Sequence, residues 1–253
     1  MRQILLITDG CSNVGESPVM AAAHARQEGI TVNVVGVVDY GTIGELGSRE
    51  IADIAKAGGG LSRIVGTPQL AQTMQMMTRK TVVQTIQQAV NKEVKKILGD
   101  GSLEDLPPAK RSQVVTVVDE LTETTPLRIA LLIDASASMK PKLAAVEEAI
   151  RDLALSLEAR EGRSEIAVFH FPGRSSSEDA ALDMDWSSDV SGIRSLFGRM
   201  KMRGATPTGP AIFRVLEHYR YDKLDEHREH FERERFESEE HDEREGMIGG
   251  YVV

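Results

Sequence analysis

The 253-residue sequence is short of several things. It has one cysteine, Cys11, which excludes an internal disulfide and fits a reducing compartment. Catalytic thiols need an activating partner, so the plain reading of Cys11 is a small packing residue. Aromatic residues are only 4% of the chain. A core must therefore come from Val, Ile, Leu, Ala and Met, for which the 41% hydrophobic fraction is enough. The N-terminal apolar run is four residues long, Ile4 to Ile7, and breaks at Thr8-Asp9-Gly10. That is too short for a signal peptide or a membrane span, so a cytoplasmic protein with no membrane partner is expected. Positive charge is also short. The formal net charge is −9, and from Tyr221 onward twelve Asp/Glu stand against five Lys/Arg, which leaves the first 220 residues near −2. No basic patch points to nucleic acid.

What is present is an alternation of short apolar runs with amphipathic stretches. Runs at Gln3 to Thr8, Ile30 to Val38, Leu61 to Val65, Ile129 to Ile133 and Glu165 to Phe171 read as buried strands. Valine-rich Gln113 to Asp119 reads as a further strand, and Ala180 to Trp186 as a short edge strand. Helices are expected from Pro18 to Glu28 with Ser17 as N-cap, from Ser48 to Lys56, and from Pro68 to Leu98. Others are expected over Lys142 to Arg160, Ser191 to Met200 and Ala211 to Tyr219. This pattern predicts an α/β fold: a three-layer open, mostly parallel sheet with helices on both faces. The Pro68–Leu98 helix would run about 46 Å at 1.5 Å per residue, more than short strands can cover. It is read either as a core helix with a frayed end or as one whose second half packs on a partner or on the linker. Gly99 to Lys110 reads as that linker, and Thr122 to Pro126 as loop. The charged residues 221–253 read as a polar helix or a disordered tail.

Some features carry less chemistry than they first offer. Gly41 to Gly47 has Gly-x-x-Gly-x-x-Gly spacing, which is wrong for a dinucleotide loop. His170 lies inside a strand and reads as structural. His218, His227, His230 and His241 do not make a metal spacing.

The stretch with most chemistry is Ile129 to Met139, where an apolar run ends on Asp134 and serines follow at 136 and 138. If the chain stays extended past Ile133, these three side chains point one way. A second loop, Gly204 to Pro210, offers Thr206 and Thr208, and a third offers Thr8 and Asp9. All stand at strand C-termini or at loops before helices, the edge where open α/β sheets bind ligands. Two carboxylates and several hydroxyls form an all-oxygen set suited to Mg²⁺ or Mn²⁺.

At these residues the chain resembles the von Willebrand factor A (VWA) domain family. Asp134-Ala-Ser136-Ala-Ser138 is similar to the Asp-x-Ser-x-Ser motif of the family's metal-ion-dependent adhesion site (MIDAS). Gly204-Ala-Thr206-Pro-Thr-Gly-Pro210 is similar to its threonine loop, and Ile7-Thr8-Asp9-Gly10 to its later aspartate motif. In the family the Asp-x-Ser-x-Ser strand comes first and the aspartate strand last. Here the order is reversed, as in a circular permutation. Residues 1–75 match the later half and 127–220 the earlier half. Residues 76–126, a long helix and linker, bridge them, and 221–253 form the acidic tail. Two half-domains exchanged between chains, a swapped homodimer, would give the same order. The arrangement also looks like VWA proteins of spore-forming bacteria.

The resemblance implies roles. Ser136, Ser138 and Thr206 would bind the ion directly, and Asp134 and Asp9 would hold it chiefly through waters. A partner protein would complete the coordination with an Asp or Glu. That implies a metal-dependent protein-binding surface with a regulatory or assembly role, and no enzyme. The alternatives are a metal-dependent phosphohydrolase, which lacks an evident general base here, and a regulatory subunit of a separate ATPase or kinase. A purely structural alternative has the serines capping the helix after Met139.

Overall fold

The computed structural model describes residues 1–39, 43–98, 107–175, 178–189, 191–198, 200, 202 and 204–222, without the side chains at 97, 98 and 194. Most of the expected linker (99–106), the first residues of the Gly41–Gly47 loop and the tail beyond 222 lie outside the described residues. The chain divides into a unit of Met1–Phe213 and a second of Arg214–Val253; the first carries the fold.

Six strands form one sheet in the order β3-β2-β1-β4-β5-β6. They are β1 (Arg2–Thr8), β2 (Ile30–Val38), β3 (Gly59–Gly66), β4 (Leu127–Asp134), β5 (Ser164–Phe171) and β6 (Ala181–Ser187). Neighbours are parallel except β6, which runs antiparallel to β5 at the edge. The helices are α1 (Pro18–Gln27), α2 (Glu45–Ala57), α3 (Leu70–Leu98), α4 (Pro108–Thr124), α5 (Leu143–Glu158) and the short α6 (Ile193–Phe197). A further helix, α7, spans 208–222.

The strands are apolar on both faces because both faces are covered. Side chains Leu5, Ile7, Ile129, Leu131 and Ile133, with Val168 beside Leu131, join one core with Met74 and Met77 of α3, Val118 of α4 and Ile150 and Leu153 of α5. Strand alternation sends the even-numbered residues Ile4, Leu6, Ala130 and Leu132 to the other face, the side of α1 and α2.

The strand order reverses direction between β1 and β4. Arg2–Ile7 pair with Arg128–Ile133 in register, so strands 126 positions apart in sequence lie side by side within one chain. Such a switch point opens a crevice at the strand C-termini. Thr8 and Asp9 end one strand there, and Asp134 ends the other.

Several local expectations are corrected. Gln113 to Asp119 is not a strand; it lies inside α4, which also takes in 108–110 of the expected linker and 122–124 of the expected loop. Pro108 opens this helix at its first turn, where a missing N–H costs nothing. Val118 and Thr122, four residues apart, are its buried residues, while Val115 and Val117 are exposed. Helical spacing on a packed stripe has overridden the valines' preference for strands. Helix α2 begins at Glu45, three residues before the expected cap Ser48, whose hydroxyl instead donates to the Ile43 carbonyl. Helix α6 is shorter than Ser191 to Met200. Ser17 does stand at the N-cap of α1 with Pro18 following, but its side chain makes no capping bond.

Candidate metal centre

The chain stays extended past Ile133 as far as Ser136, whose backbone is at φ −65°, ψ 160°, but not on to Ser138. Strand β4 stops at Asp134, and a 3₁₀ turn occupies Ala137–Lys142 before α5. Ser138 is brought in by this turn rather than by strand alternation. Asp134 Oδ1 accepts the Ser136 N–H at 2.8 Å. Ser136 Oγ and Ser138 Oγ then lie 3.1 Å apart. Ser136 is the N-cap of the turn, yet its side chain makes no capping hydrogen bond, so the hydroxyl is not committed to the helix.

The switch point joins the two ends of the sequence. Thr8 and Asp134 lie on the same face of adjacent strands, and Thr8 Oγ1 donates to Asp134 Oδ2 at 2.7 Å. One residue further on, Asp9 Oδ1 accepts the Ser138 hydroxyl at 2.8 Å across 129 positions of sequence. Asp134, Ser136, Ser138 and Asp9 are thus linked through contacts of hydrogen-bonding length. Asp134 is 0% exposed. Burial pushes its carboxyl above the usual carboxylate range, and the nearby Asp9 charge adds to this; the bonds from Thr8 and Ser136 oppose it.

Thr206 arrives by a different route. Its N–H donates to Asn13 Oδ1 at 2.8 Å. Its carbonyl accepts the Asn13 N–H and the Ser12 hydroxyl, both at 3.2 Å. Ser12 and Asn13 follow Asp9 by three and four residues, so the threonine loop is bonded to the loop that carries Asp9. The hydrogen bonds linking the two aspartates and two serines do not themselves pass through Thr206 among the described contacts. Two glycines permit this docking. A Cβ on Gly209 would lie 2.0 Å from the Glu16 carbonyl oxygen, and Gly15, at φ +82°, would press one into the Pro210 ring. Thr206 and Thr208 are both buried.

The donor set fits a hard divalent cation. It consists of oxygens alone, and its two neighbouring carboxylates favour positive charge between them. Among the described residues no three His, Cys, Asp or Glu form a metal-binding group. An ion here would therefore depend on the serine and threonine hydroxyls.

The sequence reading missed Lys142. It ends the 3₁₀ turn, and its ammonium donates to Asp9 Oδ2 at 2.5 Å and to the Ser138 carbonyl at 3.1 Å. A lysine just before the N-terminus of α5 was the available signal, since a cation is disfavoured at a helix start unless an anion holds it. The reading also gave Ser12 and Asn13 no role. Cys11 is partly buried, and burial raises its thiol pKa, with the Glu50 charge adding to it, which is the opposite of an activated thiol. His170 is buried in β5 with Nδ1 2.5 Å from Asp183, whose other oxygen takes Arg174, a structural cluster. No described helix is long and apolar enough to cross a membrane.

No family model matches the sequence. The uncharacterized protein YabS of Bacillus subtilis (strain 168) is 47% identical over 213 residues, 84% of this chain and 86% of YabS. The crystal structure of an uncharacterized protein from Alicyclobacillus acidocaldarius subsp. acidocaldarius DSM 446 is similar with a TM-score of 0.83 at 45% identity, covering 89% of this chain and 96% of that one. Proximal thread matrix protein 1 of the mussel byssus aligns with a TM-score of only 0.25 at 18% identity, over 81% of this chain and 43% of its own. The identity and coverage shared with YabS place this chain in the same family as that protein.

Proposed function

We propose that the protein is a divalent-metal-dependent protein-interaction module: a circularly permuted VWA domain whose MIDAS-type site takes Mg²⁺ or Mn²⁺. The observation that carries this reading is the Ser138–Asp9 hydrogen bond of 2.8 Å, which builds one all-oxygen cluster from both halves of the permuted sequence. Asp134, Ser136, Ser138, Thr206 and Asp9 would hold the ion. When bound, the ion supplies an electrophilic centre for an acidic side chain of a partner protein. Asp134 and Thr8 fix the buried floor of the site, and the Asn13 and Ser12 contacts fix the threonine loop against the Asp9 loop. A binding role is favoured over catalysis because, among the described contacts, no histidine or glutamate touches Asp9, Asp134, Ser136 or Ser138 to serve as general base; Glu50 instead accepts the Ser12 N–H. A cytoplasmic regulatory or assembly role, in sporulation or as subunit to a separate ATPase or kinase, is consistent with the resemblance.

Capture from lysate on immobilised protein tests this, with Mg²⁺ against EDTA and with Asp134→Ala as control. The expected result is a partner retained in Mg²⁺ and released by EDTA or by the substitution. Equal retention in all three would remove the metal from the interaction. Phosphatase activity abolished by Asp134→Asn would favour the enzyme reading instead.

A further inference from the structure

Lys142 is the one lysine among the buried polar and charged described residues. Its side chain is 11% exposed and that of its partner Asp9 is 5% exposed. Each oxygen of Asp9 is taken, Oδ1 by the Ser138 hydroxyl and Oδ2 by the ammonium. Asp134, by contrast, accepts bonds from the neutral Thr8 hydroxyl and Ser136 N–H. The cluster of Asp9, Asp134 and Lys142 therefore has a formal charge of −1 rather than −2. A divalent ion brings it to +1; without the lysine the loaded cluster would be neutral.

We propose that Lys142 divides the site's affinity between its two ligands. Its ammonium holds Asp9 and weakens capture of the divalent cation. In return it leaves the loaded site positively charged, so that a carboxylate is accepted there. This rests on the metal-site reading above and adds the source of the preference for an acidic ligand. Like charges a few ångströms apart interact strongly even when partly screened, so the lysine acts on both ligands with opposite sign. A lysine that merely oriented Asp9 would weaken the metal when removed and leave no such opposition.

The test uses the full chain with Lys142→Met, Lys142→Gln and Lys142→Arg, each checked for folding by its melt in EDTA. Calorimetric titration with Mn²⁺ reads the first ligand. Acetate titrated into the Mn²⁺-loaded protein, followed by water-proton relaxation, reads the second. Both neutral variants are expected to bind Mn²⁺ about tenfold more tightly and acetate about tenfold more weakly, with Lys142→Arg near wild type. If Lys142→Met does not fold, Lys142→Gln decides. Mn²⁺ binding that is unchanged or weaker in the neutral variants overturns the proposal, as does tighter Mn²⁺ binding with unaltered acetate affinity. A wild-type protein that binds no Mn²⁺ removes the metal site itself, a separate outcome.

Discussion

The two strands that meet at the switch point end in different ways. Strand β4 delivers Asp134 to a fully enclosed position, where neutral donors satisfy it and burial pushes its pKa up. Strand β1 delivers Asp9 one residue past its own end, where Lys142 meets it with a full positive charge. One carboxylate is left short of positive charge and the other is compensated within the fold. The uncompensated charge is what a bound cation would relieve, and the compensated one keeps the cluster from repelling itself in the cation's absence.

The comparison can be broken first at Asp9. Asp9→Ala leaves a mostly buried ammonium without its carboxylate, and a loss of about 3 kcal/mol is expected in urea unfolding. A loss well under 1 kcal/mol would mean that Lys142 turns to water and that β1 ends without a real ion pair. Next in size is Gly209→Ala. Its Cβ would collide with the Glu16 carbonyl, so the loop must shift at a cost of about 2 kcal/mol, visible in the same assay. A neutral result there would detach the threonine loop from the Asp9 loop.

Asp134 should respond with the opposite sign. Because its folded pKa is raised, the folded carboxyl holds a proton at pH values where the unfolded one, near 3.8, has lost it. Folding then takes up a proton, so in EDTA this residue's contribution to stability grows as pH falls through the folded pKa and is complete below 3.8. Asp134→Asn should remove that dependence and be no less stable than wild type at neutral pH in EDTA. Melts across pH check this; an Asn variant that keeps the full slope would assign the titration elsewhere. The smallest effect belongs far from the seam. Val115→Ala on α4, a residue 60% exposed, should change stability by no more than about 0.5 kcal/mol.

The same contrast explains what the sequence made legible. Strands β1 and β4 are buried on both faces, so their apolar runs and the polar residues that end them stand out without further information. Asp134, Ser136 and Asp9 stand out in the sequence because each closes such a strand or lies within two residues of its end. The way the serines gather was not readable. Extended backbone carries Ser136, but the 3₁₀ turn that starts at Ala137 sets where Ser138 goes. Helix α4 was misread because its valines carry strand preference, and only packing against α3 selects the stripe of Val118 and Thr122. Lys142 was missed because its meaning depends on Asp9, 133 positions away.

The most direct measurement is the thermal melt of wild type and Asp134→Ala in EDTA and in saturating Mg²⁺ or Mn²⁺. A ligand at 100 times its dissociation constant stabilises the native state by about 2.7 kcal/mol, a shift of several degrees for a chain of this size. A metal site at the switch point predicts that shift in wild type and its loss in Asp134→Ala. No shift in wild type, or the same shift in both proteins, would contradict it.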